Sequence, residues 1–353
     1  MQIKNLKIRL GNLSKKSFPI KIFDEKIIDF LDNLSKEIML KPLSKIYPDL
    51  FSFGFWCRKE NIKKIKNKYN FEDLIIGRGT VFHICPSNVP MNFAYSLVFG
   101  LLAGNDNIIR LPSRNFVQSE MLIKIIDSIL KKKKFFQITK KICLVKYDKS
   151  DDISQSLSKL ANARLIWGGD KTINKFKKFE TNPRCVDLNF SNRYSISVIS
   201  SSKLRKISKK KLTQIANNFY NDAYTMDQLG CSSPQAIFFV GKKNPSIIKF
   251  WKALEAIVNK KYKDDFSVTN KKFELISNNI VKNNLNLKLT YNNFNLIRLK
   301  IKNLETHIDN FQSGFGVFFE INIKNLNTLS KFVSNKYQTL TYLGFSKSEI
   351  KKF

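Results

Sequence analysis

Residues 80–111 read TVFHI, CPSNVP, MNFAYSLVFGLLA, GND and NIIRL in succession. Thr80–Ile84 is a short apolar run rich in β-branched and aromatic residues, which reads as a buried strand. Met91–Ala103 has the length and texture of a buried helix. It carries Asn92, Tyr95 and Ser96 and falls short of the ~20 residues needed to cross a bilayer. Asn107–Leu111 is a second strand. Strand, helix and strand in this order imply parallel pairing through a right-handed crossover. The alternation continues outward: Gln118–Leu130 has helical spacing (Met121, Leu122, Ile125, Ile126, Ile129), Ile142–Tyr147 a strand, Ser154–Asn162 a helix and Arg164–Trp167 a strand. The expected fold is therefore α/β, with a doubly wound, Rossmann-like cofactor lobe. The G-x-G-x-x-G fingerprint of that class is missing after the first strand.

From residue 185 the texture changes, which suggests a division into 1–184, an N-terminal segment plus cofactor lobe, and 185–353, a smaller α/β catalytic lobe. Two β-like runs, Cys185–Phe190 and Ser195–Ser200, flank a turn at Ser191–Asn192. A Lys-rich helix (Lys209–Asp222), the segment TMDQLGCSSP and the apolar strand Gln235–Val240 follow. A helix over Ser246–Tyr262 and β-like runs Leu285–Tyr291 and Asn295–Ile301 come next. GVFFEINI and the residues after it predict a last strand, helix and strand, an end that is a candidate to return to the first lobe. Before residue 71 the pattern offers one amphipathic helix near Ile27–Met39, and there is no internal repeat.

The 353 residues are 43% hydrophobic and include 30 Phe, enough apolar material for two cores. The amino terminus, MQIKNLKIRLGN, lacks the apolar run of a secretion signal. Five cysteines (57, 85, 143, 185 and 231) stand at irregular spacing without a C-x-x-C pair. That pattern suits neither a disulfide framework nor a structural metal, and it fits a reducing cytoplasm. The formal charge of +34 has two readings. Phosphate neutralisation would make it a nucleic-acid surface. Lys, Asn, Ile and Phe are over-used together, however, as an AT-rich genome dictates, and the lysines are spread along the chain without a nucleic-acid motif. The second reading is preferred, and no nucleic-acid partner is expected. A basic surface still attracts anionic ligands.

Three segments carry chemistry. Cys85-Pro86-Ser87-Asn88-Val89-Pro90 follows a strand and precedes a helix, where open α/β sheets bind ligands. Held between two prolines, the Asn88 amide can donate to an oxyanion, or it can simply close an Asx-turn. The second segment is Asp227-Gln228-Leu229-Gly230-Cys231-Ser232-Ser233-Pro234. A cysteine among turn-forming polar residues gains backbone N–H contacts that favour the thiolate, whereas Cys57, Cys85, Cys143 and Cys185 read as small core residues. The third, Ile109-Arg110-Leu111-Pro112-Ser113-Arg114, ends a strand in groups able to meet a nucleotide ribose or phosphate. His83, within an apolar strand, reads as a core residue rather than a base.

These segments resemble a known family. Gly79–Glu120 is similar to the PWNFP…AGN…KPSE stretch of aldehyde dehydrogenases. It is closer still to the acyl-CoA reductases of bacterial luminescence (LuxC), whose DQ-x-GCSSPQ segment matches Asp227–Gln235. Their G-(F/Y)-GVF-x-E and QTL-x-Y-x-G patterns match Gly314–Glu320 and Gln338–Gly344. The resemblance spans roughly residues 77–345.

It implies an aldehyde-dehydrogenase-like fold in which Cys231 is the thiol nucleophile and Asn88 the oxyanion-hole asparagine. Arg110 falls where aldehyde dehydrogenases place a ribose-binding lysine. Ser113 falls where NAD-specific members have a glutamate. With Arg114 nearby, NADPH is the implied cofactor. Gly168 and Gly169 occupy the place of the turn near the cofactor pyrophosphate. Glu320 contacts the cofactor or tunes proton transfer, or else it is an exposed strand residue. The hydrolytic glutamate of the Glu-Leu-Gly-Gly segment has no counterpart near Val186–Phe190, which favours reduction over oxidation. The implied substrate is an acyl-CoA or acyl-carrier thioester, with an acyl-protein synthetase as a candidate partner, a homo-oligomeric state and no metal. Two other readings stay open: an oxidative aldehyde dehydrogenase, and an inactive, shortened homologue acting as a basic binding protein. The second arises because the family continues for several dozen residues beyond QTLTYLGF.

Overall fold

All five side chains of Thr80–Ile84 are buried, so this strand has neighbours on both edges and layers on both faces. A computed structural model describes residues 3–13, 18–69, 73–86, 89–262, 266–283, 287–301, 308–311 and 313–352. The chain forms two units, Met1–Ser191 and Asn192–Phe353.

In the first unit the elements run β1 (Lys7–Gly11), α1 (Glu25–Leu40), α2 (Pro48–Trp56), α3 (Lys59–Lys66), β2 (Thr80–Ile84), α4 (Asn92–Leu102), β3 (Asp106–Arg110), α5 (Val117–Leu130), β4 (Ile142–Lys146), α6 (Asp151–Leu160), β5 (Ala163–Trp167), α7 (Asp170–Lys177) and β6 (Val186–Phe190). Helix α1 shows how sequence becomes packing. Asp24 caps it by accepting from Lys26 N–H, a contact worth ~1 kcal/mol. Ile27, Ile28, Phe30, Leu31, Leu34 and Ile38 then fall on its buried stripe.

The sheet order is β1-β4-β3-β2-β5-β6. Strands β2 to β6 pair in parallel and β1 closes the far edge antiparallel to β4. The winding direction reverses between β3 and β5, on either side of β2. That makes the carboxyl ends of β2 and β5 the topological switch point. Gly100 lets α4 lie close on the sheet, because a Cβ there would sit 1.8 Å from Asn107 Oδ1. Behind it, His83 Nδ1 is 2.7 Å from Ser96 Oγ and Nε2 3.0 Å from Asn107 Oδ1. Burial lowers the His83 pKa from 6.5 to about 4. The ring is a core group, as expected.

The second unit runs β7 (Tyr194–Ser200), α8 (Ser201–Arg205), α9 (Lys209–Tyr224), β8 (Ala236–Val240), α10 (Pro245–Lys261), α11 (Phe266–Asn283), β9 (Leu287–Asn293), β10 (Leu296–Ile301), β11 (Val317–Ile323), α12 (Leu326–Ser330), β12 (Tyr337–Leu343) and α13 (Lys347–Lys352). Its sheet order is β12-β7-β8-β11-β10-β9, parallel except for β9 on β10. Both faces are apolar. Ile196, Val198, Phe238 and Phe319 belong to one core; Ile237, Phe239, Phe250, Trp251 and Phe318 belong to the other.

The fold is thus mixed α/β with two mainly parallel six-stranded sheets. Two expectations change. Val186–Phe190 does not open the second unit. It is β6, paired with β5, and Arg164 fastens it by giving Nε and Nη2 to the Asp187 carboxylate at 2.7 and 2.6 Å. The division therefore falls at Ser191/Asn192, and Ser191–Asn192 is the passage between two sheets rather than a hairpin turn. The chain's end also stays in the second unit, where β12 pairs with β7. Among the described residues no helix is long and apolar enough to cross a membrane.

Candidate functional site

In the first unit the candidate residues gather at the carboxyl edge of one sheet. Asn88 lies outside the described residues. Around it, Cys85 is half-buried at the end of β2, and Pro90 is held by Ser119, whose Oγ donates to its carbonyl at 2.8 Å. Arg110 ends β3 and lays its guanidinium 4.4 Å from the centre of the Tyr147 ring. Ser113 and Arg114 are exposed just beyond. Arg114 lines a shallow surface cleft together with Leu111, Pro112, Phe116, Glu120 and Lys146, among others. Glu120 is paired with Arg9 at 2.6 Å, which offsets its charge and leaves Arg114 and Lys146 to set the cleft's sign. Lys146 and Glu120 draw no attention in the sequence, since each sits on an element with an ordinary structural reading. Arg110, by contrast, does not line the cleft.

Gly168 and Gly169 follow β5. Gly168 N–H donates to Phe190 O at 3.2 Å, and Gly169 opens α7 without a side-chain cap. The first turn of α7 therefore keeps free N–H groups, a natural place for an anion. Trp167 and Phe190 stack beside it with ring centres 3.8 Å apart.

In the second unit, Cys231 is the exposed cysteine of the chain's five. Burial raises the thiol pKa of Cys57 and Cys85 far above its ordinary value, that of Cys143 to about 12, and that of Cys185 upward. Those thiols are held in their unreactive form.

The loop bearing Cys231 is built by strain and hydrogen bonds together. Asp227 and Gln228 are both left-handed, at φ 51° and 62°. Each such residue costs an L side chain ~1–2 kcal/mol. The compensation is local. Buried Gln228 donates Nε2 to Pro234 O and to Ser313 Oγ, both at 2.9 Å, and accepts from Gly316 N–H at 3.1 Å. Phe315 N–H donates to Asp227 O at 2.8 Å, and Tyr262 OH to Asp227 Oδ1 at 2.9 Å. Gly316 is required at φ +84°, where a Cβ would meet Asn295 O at 2.2 Å. The loop is thereby fastened to the segment that leads into β11. On its other side Ser195 Oγ donates to Cys231 O at 2.6 Å, and Gln338 Nε2 lies 3.6 Å from Cys231 Sγ.

Glu320, on β11, is not an exposed strand residue. It is buried, 3.1 Å from Arg298 Nη1 and 3.4 Å from Lys300 Nζ, and Arg298 also lies over the Trp251 ring. Two cations answer its charge, because an unpaired carboxylate could not be kept there. Among the described residues no group of three or more His, Cys, Asp or Glu could hold a metal.

The family model for acyl-CoA reductase (LuxC) matches residues 61–279, a stretch that includes Cys85, Arg110 and Cys231. The chain belongs to the LuxC acyl-CoA reductase family. The long-chain acyl-protein thioester reductase of Aliivibrio fischeri is 26% identical over 171 residues, 48% of this chain and 33% of that protein. The long-chain acyl-protein thioester reductase 2 of Photobacterium leiognathi is 25% identical over 189 residues, 53% of this chain and 36% of that protein. The matched stretch thus spans about a third of the length of these relatives. Among solved structures, an aldehyde dehydrogenase from Bartonella henselae superposes with a TM-score of 0.64 at 14% identity, covering 93% of this chain and 74% of that one. A point mutant of 1-pyrroline-5-carboxylate dehydrogenase from Thermus thermophilus gives 0.69 at 9% identity, with 93% and 70% covered. The fold of this LuxC-family chain is therefore that of the aldehyde dehydrogenases.

Proposed function

We propose that this chain reduces long-chain acyl thioesters to aldehydes with NADPH, through an acyl group carried on Cys231. The observation that supports this most is the setting of Cys231: an exposed thiol on a loop braced by a buried glutamine, in a chain whose other cysteines are wholly or partly buried.

The sulfur attacks the thioester carbonyl, the donor thiol departs, and an acyl–Cys231 thioester remains. Asn88 is assigned to the developing oxyanion, the role that the family resemblance gives it. Ser195 keeps the cysteine backbone in place during both halves of the reaction. The nucleotide would be held by the open first turn of α7 at Gly168–Gly169 and by the cleft with Arg114 and Lys146, beside Ser113. When bound, it supplies the hydride that converts the acyl group to an aldehyde.

Reduction is preferred to oxidation on one further observation. The sole carboxylate of β6 is Asp187, and both its oxygens are taken by Arg164, so that strand offers no base to activate water. The substrate class follows the relatives' names: a long acyl chain in thioester linkage, on a protein or on coenzyme A.

Intact-mass measurement after incubation with palmitoyl-CoA, without nucleotide, tests the reading. One palmitoyl group should appear on the protein and be lost in Cys231→Ala. Label that survives Cys231→Ala removes Cys231 from the mechanism. A protein-bound palmitoyl donor run in parallel shows which carrier reacts faster.

A further inference from the structure

We propose that Gln338 is a catalytic residue of this reaction, its side-chain amide donating a hydrogen bond to the oxyanion that forms when Cys231 attacks an acyl carbonyl. The inference rests on the assignment of Cys231 as nucleophile.

Two independent features of the second unit point to it. The first is proximity: Gln338 Nε2 is 3.6 Å from Cys231 Sγ. The second is the way the backbone brings it there. Strand β12 is an edge strand, and Tyr337 opposes Tyr194 while Thr339 opposes the very next residue, Ser195. Gln338 is thus the extra residue of a β-bulge, a device that re-aims one side chain out of the regular alternation. Ser195, on the rung beside the bulge, is the residue whose hydroxyl fixes the Cys231 carbonyl. One rung of the sheet therefore holds the nucleophile's backbone and turns an amide toward its sulfur.

The chemistry needs a donor at that spot. The Cys231 thiol gives its proton to solvent, a sulfur lone pair forms the new S–C bond, and the carbonyl π pair moves onto oxygen. That oxygen is one bond from the carbon the sulfur has just reached. An N–H group already touching the sulfur meets it after a small side-chain rotation. The tetrahedral species then collapses: the bond to the donor sulfur breaks, the departing thiolate takes a proton from solvent, and the acyl group stays on Cys231. A donor already beside the sulfur matters most at the charged stage. An uncharged amide serves both the formation and the collapse of the oxyanion.

A glutamine that merely steadied the thiol would affect every reaction of that sulfur equally. An oxyanion donor affects only reactions in which charge develops on oxygen. Two single-turnover rate constants on the full chain separate these roles, both followed by intact mass. One is alkylation of Cys231 by iodoacetamide, a displacement with no oxyanion. The other is acylation by palmitoyl-CoA. Gln338→Met, similar in length and without a donor, should leave alkylation within about threefold and slow acylation by about 10²-fold. Gln338→Glu should slow acylation at least as much, because a carboxylate repels the oxyanion. An equal fall in both constants would reduce Gln338 to a group that steadies the sulfur, and unchanged acylation would remove it from the reaction. If the unmodified protein takes alkyl but no acyl group, the Cys231 reading itself fails, and the alkylation arm shows that this is the cause.

Discussion

Replacing Gln228 with alanine should unfasten the Cys231 loop, and the size of the effect follows from three contacts. The buried amide gives two hydrogen bonds, to Pro234 O and Ser313 Oγ, and receives one from Gly316 N–H. Ser313 keeps its own bond to Val317 O, so its loss is modest. The Pro234 carbonyl and the Gly316 N–H lose a partner inside the protein, and each buried orphan costs ~1–3 kcal/mol. The sum is about 3 kcal/mol. For a unit of roughly 150–250 residues, where 1 kcal/mol moves Tm by ~2–4 °C, that is a fall of about 6–12 °C. Alanine leaves the left-handed backbone at φ 62° as costly as before. Glycine relieves it, so Gln228→Gly should return about 1 kcal/mol and melt a few degrees higher than Gln228→Ala. Thermal unfolding followed by circular dichroism measures both variants, and iodoacetamide trapping of Cys231 reports the loop directly. A fall in Tm below about 2 °C for Gln228→Ala, or a glycine variant less stable than the alanine one, would refute the account of this loop as strain held down by one side chain.

Three shorter predictions accompany it. His83 refuses in the folded state, with a pKa near 4, a proton that the unfolded chain accepts near 6.5. Its contribution is complete above pH 6.5 and drains away toward pH 4, by about 3 kcal/mol at ~1.4 kcal/mol per unit. Denaturant midpoints between pH 7 and 4 should show that slope, and His83→Gln should flatten it. Glu320→Gln should lower stability by about 3 kcal/mol or more, because Arg298 is left buried without its counter-charge, while NADPH binding stays unchanged. A weaker nucleotide affinity at unaltered Tm would restore Glu320 to the cofactor. Ser113→Glu should erase a preference for NADPH over NADH seen by cofactor fluorescence at low salt, a preference that should shrink as salt is raised. Equal dissociation constants in the unmodified protein would count against the Arg114–Lys146 cleft as a phosphate site.

The parts of this fold that can be read in advance are those where one physical signal dominates. Thr80–Ile84 and Ala236–Val240 are uniformly apolar and buried on both faces, and both stand out as strands. Strand β6 reads locally as part of the second unit, because Val186, Leu188 and Phe190 alternate like the start of any sheet. What assigns it to the first sheet is a distant guanidinium, Arg164, that no local pattern displays. Helix α11, with polar residues spread through Phe266–Asn283, gives no clear stripe and escapes a reading by periodicity. Among the candidate residues, Cys231 stands out in the sequence by its turn-forming neighbours, and the structure leaves it exposed. Gln228 and Gln338 are visible only as letters of a family pattern, because a left-handed backbone and a bulge are what set their side chains.

The openness of Cys231 has a second side. An exposed sulfur is one that peroxide can reach, and exposure is part of what decides where oxidation begins. A sulfenic acid formed there would find no other cysteine in its own unit to condense with, since residues 57, 85, 143 and 185 all belong to the first. A small thiol such as glutathione can reduce such a group, and without a thiol it would advance to the irreversible sulfinic acid. On the function proposed above, an acyl group on the sulfur would block that path, and a supply of thioester would double as protection against oxidant.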